Sequence, residues 1–485
     1  MLAIRLVSGS TRPDTLVLPV RPVGLDAPPE LAPTAYRPGD GLRAEAASLL
    51  PAARLTGAPG EVREHLRPDG EPARLWLLGV GDGDESAWRS AGAALARAAA
   101  GETQITIAIS DGVAALRGLV EGLLLGSYRF RLTETGPRPA LARVDVLVAD
   151  PEALAGTLAE ARTTAEMTRL ARDLTNTPSS TKHPEWFADQ VAAAASGRTD
   201  LHLRVRGPRE LAAEGFGGIL AVGGGSARGP RLVELDWRPA GARTHVVLVG
   251  KGITFDTGGI SIKPVPAMKL MRKDMAGAAA VVAATLGAAA LRLPVRVTTL
   301  APLAENMVSG SAFRPGDVIR HYGGLTSEST NSDAEGRLVL ADAMAYAVRE
   351  LTPDLLVDLA TLTGANAVAL GKRHAALYSE NDDLAAGLLA GIGAAGERAW
   401  RMPLADDYLE YLASDIADLH SSPARGAGSV VAALFLREFT GELRDRWAHL
   451  DMSAPSWSDD VHGELVKGAT GWGVRGLLRW LATLG

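Results

Sequence analysis

Residues 244–249 read Thr-His-Val-Val-Leu-Val, an unbroken β-type run without the polar alternation of a strand that faces water on one side. Such a run makes a strand covered on both faces, as in a parallel sheet flanked by helices. The residues that follow sharpen the constraint. A glycine-rich stretch from Gly250 to Gly259 leads into an uncharged, alanine-rich run at 275–291, read as a buried helix. A strand near 295–300, a helix over about 338–349 and a strand at 354–359 come next. Strands alternating with helices predict a mostly parallel, doubly wound sheet. The functional crevice of such a sheet lies at the carboxyl ends of its strands.

The first third of the chain has the same α/β character. β-like runs stand at 74–78, 103–109 and 144–148, with helical patterns at 86–100 and 112–127. At 485 residues the chain exceeds one typical domain. We therefore expect an α/β protein with a smaller N-terminal α/β domain over 1–165 and a larger C-terminal domain over 166–485. The proline-dense stretch 19–38 reads as an irregular loop within the first domain, not a linker. The turn Gly79-Val80-Gly81-Asp82-Gly83 lacks the third glycine of a dinucleotide loop and the Gly-Lys-Ser/Thr ending of a nucleotide loop. Asp82 and Asp84 would also repel phosphate, so it reads as a plain strand-to-helix turn, and Gly223-Gly224-Gly225-Ser226 reads likewise as structural.

Composition narrows the function classes. With 47% hydrophobic residues, 22% charged residues and a formal net charge of −6, the chain can build an ordinary core and has no basic field for nucleic acid. The absence of cysteine removes disulfides, thiolate zinc sites and cysteine nucleophiles. Arg5 interrupts the only apolar stretch near the start and no cleavage pattern follows, so no signal peptide is expected. The run 275–291 is short for a membrane span and is interrupted by Gly277, Thr285 and Gly287. A cytoplasmic protein without membrane partners is the expectation.

The residues with chemistry gather after the predicted strands. Lys251 and Asp256 lie in the glycine-rich loop, Lys263 follows, and Asp274 stands at the start of the alanine-rich helix. Asp274 alone would pass for an N-cap. Ahead of the next helix comes Asn331-Ser332-Asp333-Ala334-Glu335-Gly336-Arg337-Leu338. In an extended segment Asp333 and Glu335 would face one side, and singly they would pass for an acidic first helical turn. Together, Asp256, Asp274, Asp333 and Glu335 come from three βα loops meeting at one end of the sheet. Four carboxylates there repel one another unless cations neutralise them, and two divalent ions about 3.5–4 Å apart can share bridging carboxylates. A lysine in such a pocket can stabilise developing negative charge or, if its pKa is depressed, ligate metal itself. There is no His-Glu-x-x-His zinc motif and no Gly-x-Ser-x-Gly elbow. His449-Leu450-Asp451 reads as part of a buried segment.

These residues closely resemble the cytosol (leucyl) aminopeptidase family of metallopeptidases. The likeness rests on residues 331–338, on VGKGITFDTGGISIKP (249–264), MRKDMAGAA (271–279), ATLTGA (360–365), WAHLD (447–451) and KGATGWGVR (467–475), in the family's order. It covers roughly residues 170 to 485, and the N-terminal part matches only in general character.

The resemblance implies a catalytic C-terminal domain that binds two divalent ions, Mn²⁺ or Zn²⁺, with Mg²⁺ in one site as an option. It implies that Asp256 and Glu335 bridge both ions, that Asp333 completes one site and that Lys251 and Asp274 complete the other. Lys263 would stabilise the oxyanion, and Arg337 would hold a bicarbonate that relays the proton. Met271, Thr361 and Gly364 would line the substrate pocket. The implied activity is release of N-terminal residues, apolar ones such as leucine preferred, from short peptides by a homohexamer, with the free α-amine of the substrate on one ion. Ser332 and Thr257 depart from the usual threonine and serine but keep a hydroxyl; Ser327, Ser329, Thr330 and the stretches 426–428 and 452–455 also differ. Three rival readings remain: a DNA-binding architectural role, against which the net charge argues; a catalytically dead scaffold, against which the intact site residues argue; and a two-metal phosphoesterase, where Lys263 would be out of place.

Overall fold

A computed structural model of the chain describes residues 2–9, 13–24, 27–36, 38–110, 112–133, 141–423 and 425–485. Two compact units are present. One holds the residues up to Arg169 together with Asp459–Lys467, the other Leu170–Ser458 together with Gly468–Gly485.

The first unit is built on β1 (Ala3–Val7), β2 (Thr15–Arg21), β3 (Glu30–Leu31), β4 (Val62–Leu66), β5 (Arg74–Gly79), β6 (Gln104–Ala108) and β7 (Arg143–Leu147). Their order is β1-β7-β6-β2-β5-β4, parallel apart from β4, with β3 antiparallel on β2. The helical patterns become helices Glu85–Ala98 and Val113–Gly126. These two pack so closely that a Cβ on Gly92 would stand 2.5 Å from the carbonyl oxygen of Leu119. Asp84 caps the first helix by accepting from the Ala87 N–H at 2.7 Å, so the Gly79–Gly83 turn serves the fold. The proline-dense stretch departs from the loop expectation. Pro19 lies inside β2 and residues 30–31 form β3, while 25, 26 and 37 fall outside the described residues. Proline is tolerated at that position because β3 pairs with β2 only at Val20 and Arg21, so no ladder bond is required of its nitrogen.

The second unit carries β8 (Leu201–Arg206), β9 (Arg231–Trp237), β10 (His245–Gly250), β11 (Gly252–Asp256), β12 (Arg296–Asn306), β13 (Val318–Arg320), β14 (Thr326–Glu328), β15 (Leu355–Ala360), β16 (Ala375–Tyr378), β17 (Ala399–Arg401), β18 (Leu419–His420) and β19 (Trp447–Asp451). The large sheet runs β17-β16-β19-β15-β10-β12-β9-β8, with β11 on β12, and β13-β14-β18 form a small separate sheet. The centre, β19-β15-β10-β12, is parallel. Its register sets Val249 beside Leu300 on one flank and Asp358 on the other, so β10 and β15 finish level while β12 runs on to Asn306 beside β11. The chain is thus an α/β protein with a smaller N-terminal unit and a larger one built on a mostly parallel, doubly wound sheet.

Residues Val246 to Val249 are wholly buried, each worth about 1.5–3 kcal/mol of burial. Helix Ala276–Ala290 is buried along nearly its whole length. Its alanines and glycines let it lie almost on the sheet, since a Cβ on Gly250 would stand 2.6 Å from the Ala278 Cα. Among the described residues no helix is long and apolar enough to cross a membrane.

At the amino end of β10, the His245 Nε2 lies 2.8 Å from the Thr298 hydroxyl. Burial, reinforced by Arg296 and Arg238 and opposed by Asp236 and Asp354, pushes its pKa down to about 4. The unfolded chain, with an ordinary histidine near 6.5, therefore binds more protons between those values. The neutral imidazole's contribution to stability is complete above the unfolded value and is lost as pH falls toward 4. Denaturant midpoints at neutral pH and near pH 4.5 should show His245→Val losing less stability on acidification than the parent protein. An equal loss in both would remove His245 from the acid response.

Candidate active site

The chemistry-bearing residues converge at the carboxyl end of the parallel strands. Lys251 follows β10, Asp256 ends β11, Asn306 ends β12 and Thr361 follows β15. Gly258 and Gly259, with φ of +87° and +64°, turn the chain back after Asp256 toward Lys263. Asp274 closes the short turn Met271–Lys273 ahead of helix Ala276–Ala290, and Glu335 opens helix Glu335–Tyr346.

Two lysines knit the acids together. The Lys251 Nζ stands 2.9 Å from Asp274 Oδ2 and 2.8 Å from Glu335 Oε1, and it donates to the Thr361 carbonyl at 3.0 Å. The Lys263 Nζ stands 2.8 Å from Asp256 Oδ2 and also pairs with Asp333. Gly336 leaves the space that Lys251 occupies, because a Cβ there would lie 2.6 Å from its Nζ.

The geometry disposes of one rival reading and corrects one expectation. Asp274 is not an N-cap; Met275 takes that position, and no side chain caps the helix. The Asp274 Oδ1 instead accepts from the Thr361 hydroxyl at 2.7 Å. The segment before Glu335 is not extended either. It is a turn closed by the Ala334 N–H on the Asn331 carbonyl at 3.0 Å, and the Asn331 side chain accepts from the Asp333 N–H at 2.9 Å. Asp333 and Glu335 still come together, through turn geometry and not strand alternation.

The electrostatics follow from crowding. Burial first, then the negative charges of Glu335 and Asp274, push Asp256 up to about 8. Burial and Glu335 push Asp274 up to about 6 against the pull of Lys251. Burial also raises Asp333. Glu335 goes the other way: Lys251 and Lys263 outweigh its burial and hold it below the usual carboxylate range. Both lysines are desolvated, yet the surrounding acids hold them well above the ordinary lysine range.

The donor set suits divalent cations. Asp256, Asp333 and Glu335 offer oxygens that all lie within 4.8 Å of one another. Both Glu335 oxygens are buried and neither accepts a hydrogen bond of good geometry, despite the ion contact with Lys251; Asp274 Oδ2 is in the same state. Buried anionic oxygens left in this way are costly unless a cation approaches them.

The other expected site residues are placed as follows. Arg337 is buried, donates from Nη1 to the Ser421 carbonyl at 2.6 Å, leaves Nε without a partner and has no ion-paired carboxylate among the described residues. Desolvation lowers its pKa to about 10. Met271 is half-buried at the start of the turn carrying Asp274. Thr361 anchors Asp274 and Lys251. Gly364 is exposed ahead of helix Ala365–Leu370, with open space where a Cβ would be.

Known proteins fix the lineage. Residues 169–478 match the catalytic domain of the cytosol aminopeptidase family, and residues 23–135 match that family's N-terminal domain. The chain belongs to the cytosol aminopeptidase family. A probable cytosol aminopeptidase of Leifsonia xyli subsp. xyli is 44% identical over 91% of this chain and 90% of its own length. One of Streptomyces coelicolor is 41% identical over 93% and 92%. Among solved structures, the bottromycin maturation enzyme BotP in complex with Mn superposes with a TM-score of 0.85 at 37% identity, covering 97% of this chain and 99% of that one. A mutant tomato leucine aminopeptidase gives 0.86 at 30% identity, covering 100% and 97%. This member of the family is accordingly a divalent-metal-dependent aminopeptidase, a hydrolase of peptide bonds.

Sequence reasoning missed the aminopeptidase's supporting shell. Asn306 donates through Nδ2 to Asp256 Oδ1 at 2.8 Å and to the Ser332 carbonyl at 2.9 Å, clamping two loops. The Ser332 hydroxyl donates to the Gly258 carbonyl at 2.7 Å and accepts from the Ser261 N–H at 2.7 Å. Asn306→Ala should cost about 1–3 kcal/mol for the partners it strands and weaken Mn²⁺ binding by about 10–100-fold. Calorimetric titration of metal-stripped protein checks this, and unaltered affinity would show that Asn306 does not hold Asp256 in place.

Proposed function

We propose that the protein releases N-terminal amino acids, apolar ones such as leucine preferred, from short peptides at a site holding two divalent ions. The observation that carries this reading is the pair of buried Glu335 oxygens, neither with a hydrogen bond of good geometry among the described residues, in reach of Asp256 and Asp333. In the proposed assignment Asp256 and Glu335 would serve both ions, Asp333 would complete one site, and Asp274 with Lys251 would complete the other, Lys251 only on losing the proton that the metal-free acids hold on it. Mn²⁺ or Zn²⁺ suits the oxygen-rich set with one lysine nitrogen, and Mg²⁺ suits the all-oxygen part. Two such ions, when bound, supply a water acidified from 15.7 toward about 7 and Lewis-acid polarisation of the scissile carbonyl.

The protein's own groups do the rest. Lys263, held by Asp256 and Asp333 but the less buried of the two lysines, presents an ammonium to the oxygen that gains negative charge. Arg337, a buried cation without an ion-paired carboxylate among the described residues, would hold a small anion such as bicarbonate, which would supply a proton relay. Met271, Thr361 and Gly364 bound the space for the first side chain. A free α-amine on the substrate would be held at the residues that bind the ions, which would confine cleavage to the first peptide bond. We further propose a cytoplasmic homohexamer, in keeping with the relatives' names and the family likeness. The net charge of −6 gives no support to DNA binding.

Chelation should abolish hydrolysis of leucine amide, and Mn²⁺ or Zn²⁺ should restore it. Glu335→Ala or Asp256→Ala should eliminate the metal-dependent rate while circular dichroism shows an intact fold. Lys263→Ala should lower turnover by about 10²–10³, as for loss of one oxyanion donor. A Lys263→Ala enzyme working at full rate would strike that residue from the mechanism. Cleavage of phosphate esters in place of aminoacyl amides would overturn the reading altogether.

A further inference from the structure

Lys182 lies just ahead of helix Pro184–Ala195, outside every run that carries the family likeness, and it is wholly buried. Its Nζ donates to the Thr175 carbonyl at 2.9 Å and the Arg272 carbonyl at 2.5 Å, and stands 3.2 Å from the Met275 sulfur. Burial pushes its pKa well below the lysine range, Arg272 adds to the effect, and Asp274 opposes it from a distance. A methionine or leucine would fill this space without the desolvation cost of an amine. The contacts explain what the amine does instead. Two of the three bear on residues 272 and 275, the stretch that contains Asp274.

The same turn is gripped twice more. The Arg272 guanidinium lies over the Trp457 ring, 5.0 Å from its centroid. The Lys273 Nζ donates to the Ser453 carbonyl at 2.7 Å. Lys182 grips the turn by the Arg272 carbonyl and ties it to the end of helix Ala155–Asn176 through the Thr175 carbonyl. From that turn Asp274 reaches Thr361 and Lys251, and Met271 stands at its first position.

We propose that Lys182 is a positioning residue: it presets the Met271–Asp274 turn and thereby sets both the grip of Asp274 on its ion and the width of the pocket bounded by Met271. The inference rests on the two-ion reading above and deepens it. Its physical content is pre-organisation. A carbonyl held by a buried amine keeps the turn closed before metal or substrate arrives, so neither has to meet the cost of ordering it.

The test compares Lys182→Met, which keeps the volume and removes the donors, with Lys182→Gln, whose amide can serve both carbonyls. Metal-stripped proteins are titrated with Mn²⁺ by calorimetry, and backbone hydrogen exchange is followed over residues 271–275. The ratio of kcat/KM for leucine amide against alanine amide is measured on the Mn²⁺-loaded forms. Lys182→Met should weaken one of the two ions by about 10–100-fold and leave the other unchanged, while Lys182→Gln stays within about threefold of the parent. Exchange over 271–275 should be slow in the metal-free parent and fast in Lys182→Met, with the leucine-to-alanine ratio altered in the same variant. Parental Mn²⁺ affinities and exchange in Lys182→Met, or equal loss of both ions, would overturn the proposal. Should Lys182→Met fail to fold, the parent decides: an unprotected 271–275 before Mn²⁺ is added overturns it, and protection retained in Lys182→Gln supports it. If the parent binds Mn²⁺ yet cleaves no aminoacyl amide, the proposed function fails, while titration and exchange still judge Lys182.

Discussion

Everything at the sheet's carboxyl edge depends on how four acids tolerate one another's company. Two like charges 4 Å apart at an effective dielectric of 20 repel by about 4 kcal/mol, and the crevice holds Asp256, Asp274, Asp333 and Glu335 together. Two ammonium groups make this possible. Lys251 joins Asp274 to Glu335, and Lys263 joins Asp256 to Asp333. Each lysine therefore links acids from different loops. The formal charge of the cluster is still negative, which is why Asp256 and Asp274 are driven upward while Glu335, the acid nearest full compensation, is driven down. A divalent cation offered to this cluster competes with the ammonium groups for oxygens already in place.

The fold makes that convergence unavoidable. Parallel strands β10 and β15 end level, and β11, which follows β10 after Lys251, ends level with β12, Asp256 beside Asn306. Helix Ala276–Ala290 then sits close enough to bring Asp274 to Lys251, and only small residues permit the approach: a Cβ on Gly277 would stand 3.1 Å from the Lys251 nitrogen and closer still to the Leu359 carbonyl. The absence of any charged side chain from 276–290, and the glycine at 277, are thus conditions for the site as well as for the core. Strands buried on both faces supply the rigidity, and the glycines after them supply the reach.

Much of this was legible in the sequence because it is written in local patterns. The run at 244–249 is β10 shifted by one residue, and the alanine-rich run is a helix beginning at Ala276. The acids and lysines were visible as chemistry that a soluble core would not otherwise tolerate. What stayed hidden was decided by tertiary pairing. The strand expected at 295–300 runs on to Asn306, because pairing with β9 continues through Pro302 to Leu303 after pairing with β10 has ended at Leu300, and pairing with β11 begins at Leu303. That extension concealed Asn306. Asp274 looked like a helix cap because nothing local reveals that Thr361, on another strand's loop, takes its carboxylate. Ser327 looked like a weak substitution in an apolar strand; it is buried, and its hydroxyl meets the His321 ring at 2.7 Å, which offsets the polar cost.

The strand that carries no proposed ligand shows where the remaining specificity resides. β19 ends in Asp451, whose carboxylate accepts from the N–H groups of Leu362, Thr363 and Ser453, the Thr363 hydroxyl and the Asn366 amide, at 2.7–3.1 Å. Upstream on the same strand, His449 and Trp447 both engage Asp358 of β15, at 2.6 and 2.8 Å. The segment read from sequence as merely buried therefore fixes the loop that begins at Thr361, and Thr361 in turn holds Asp274 by its hydroxyl and Lys251 by its carbonyl. A carboxylate with five donors is fully satisfied and has nothing left to offer a cation. Glu335, with none of good geometry, is the opposite case. Hydrogen-bond saturation, more than burial or charge, separates the acids that build this crevice from those free to act in it.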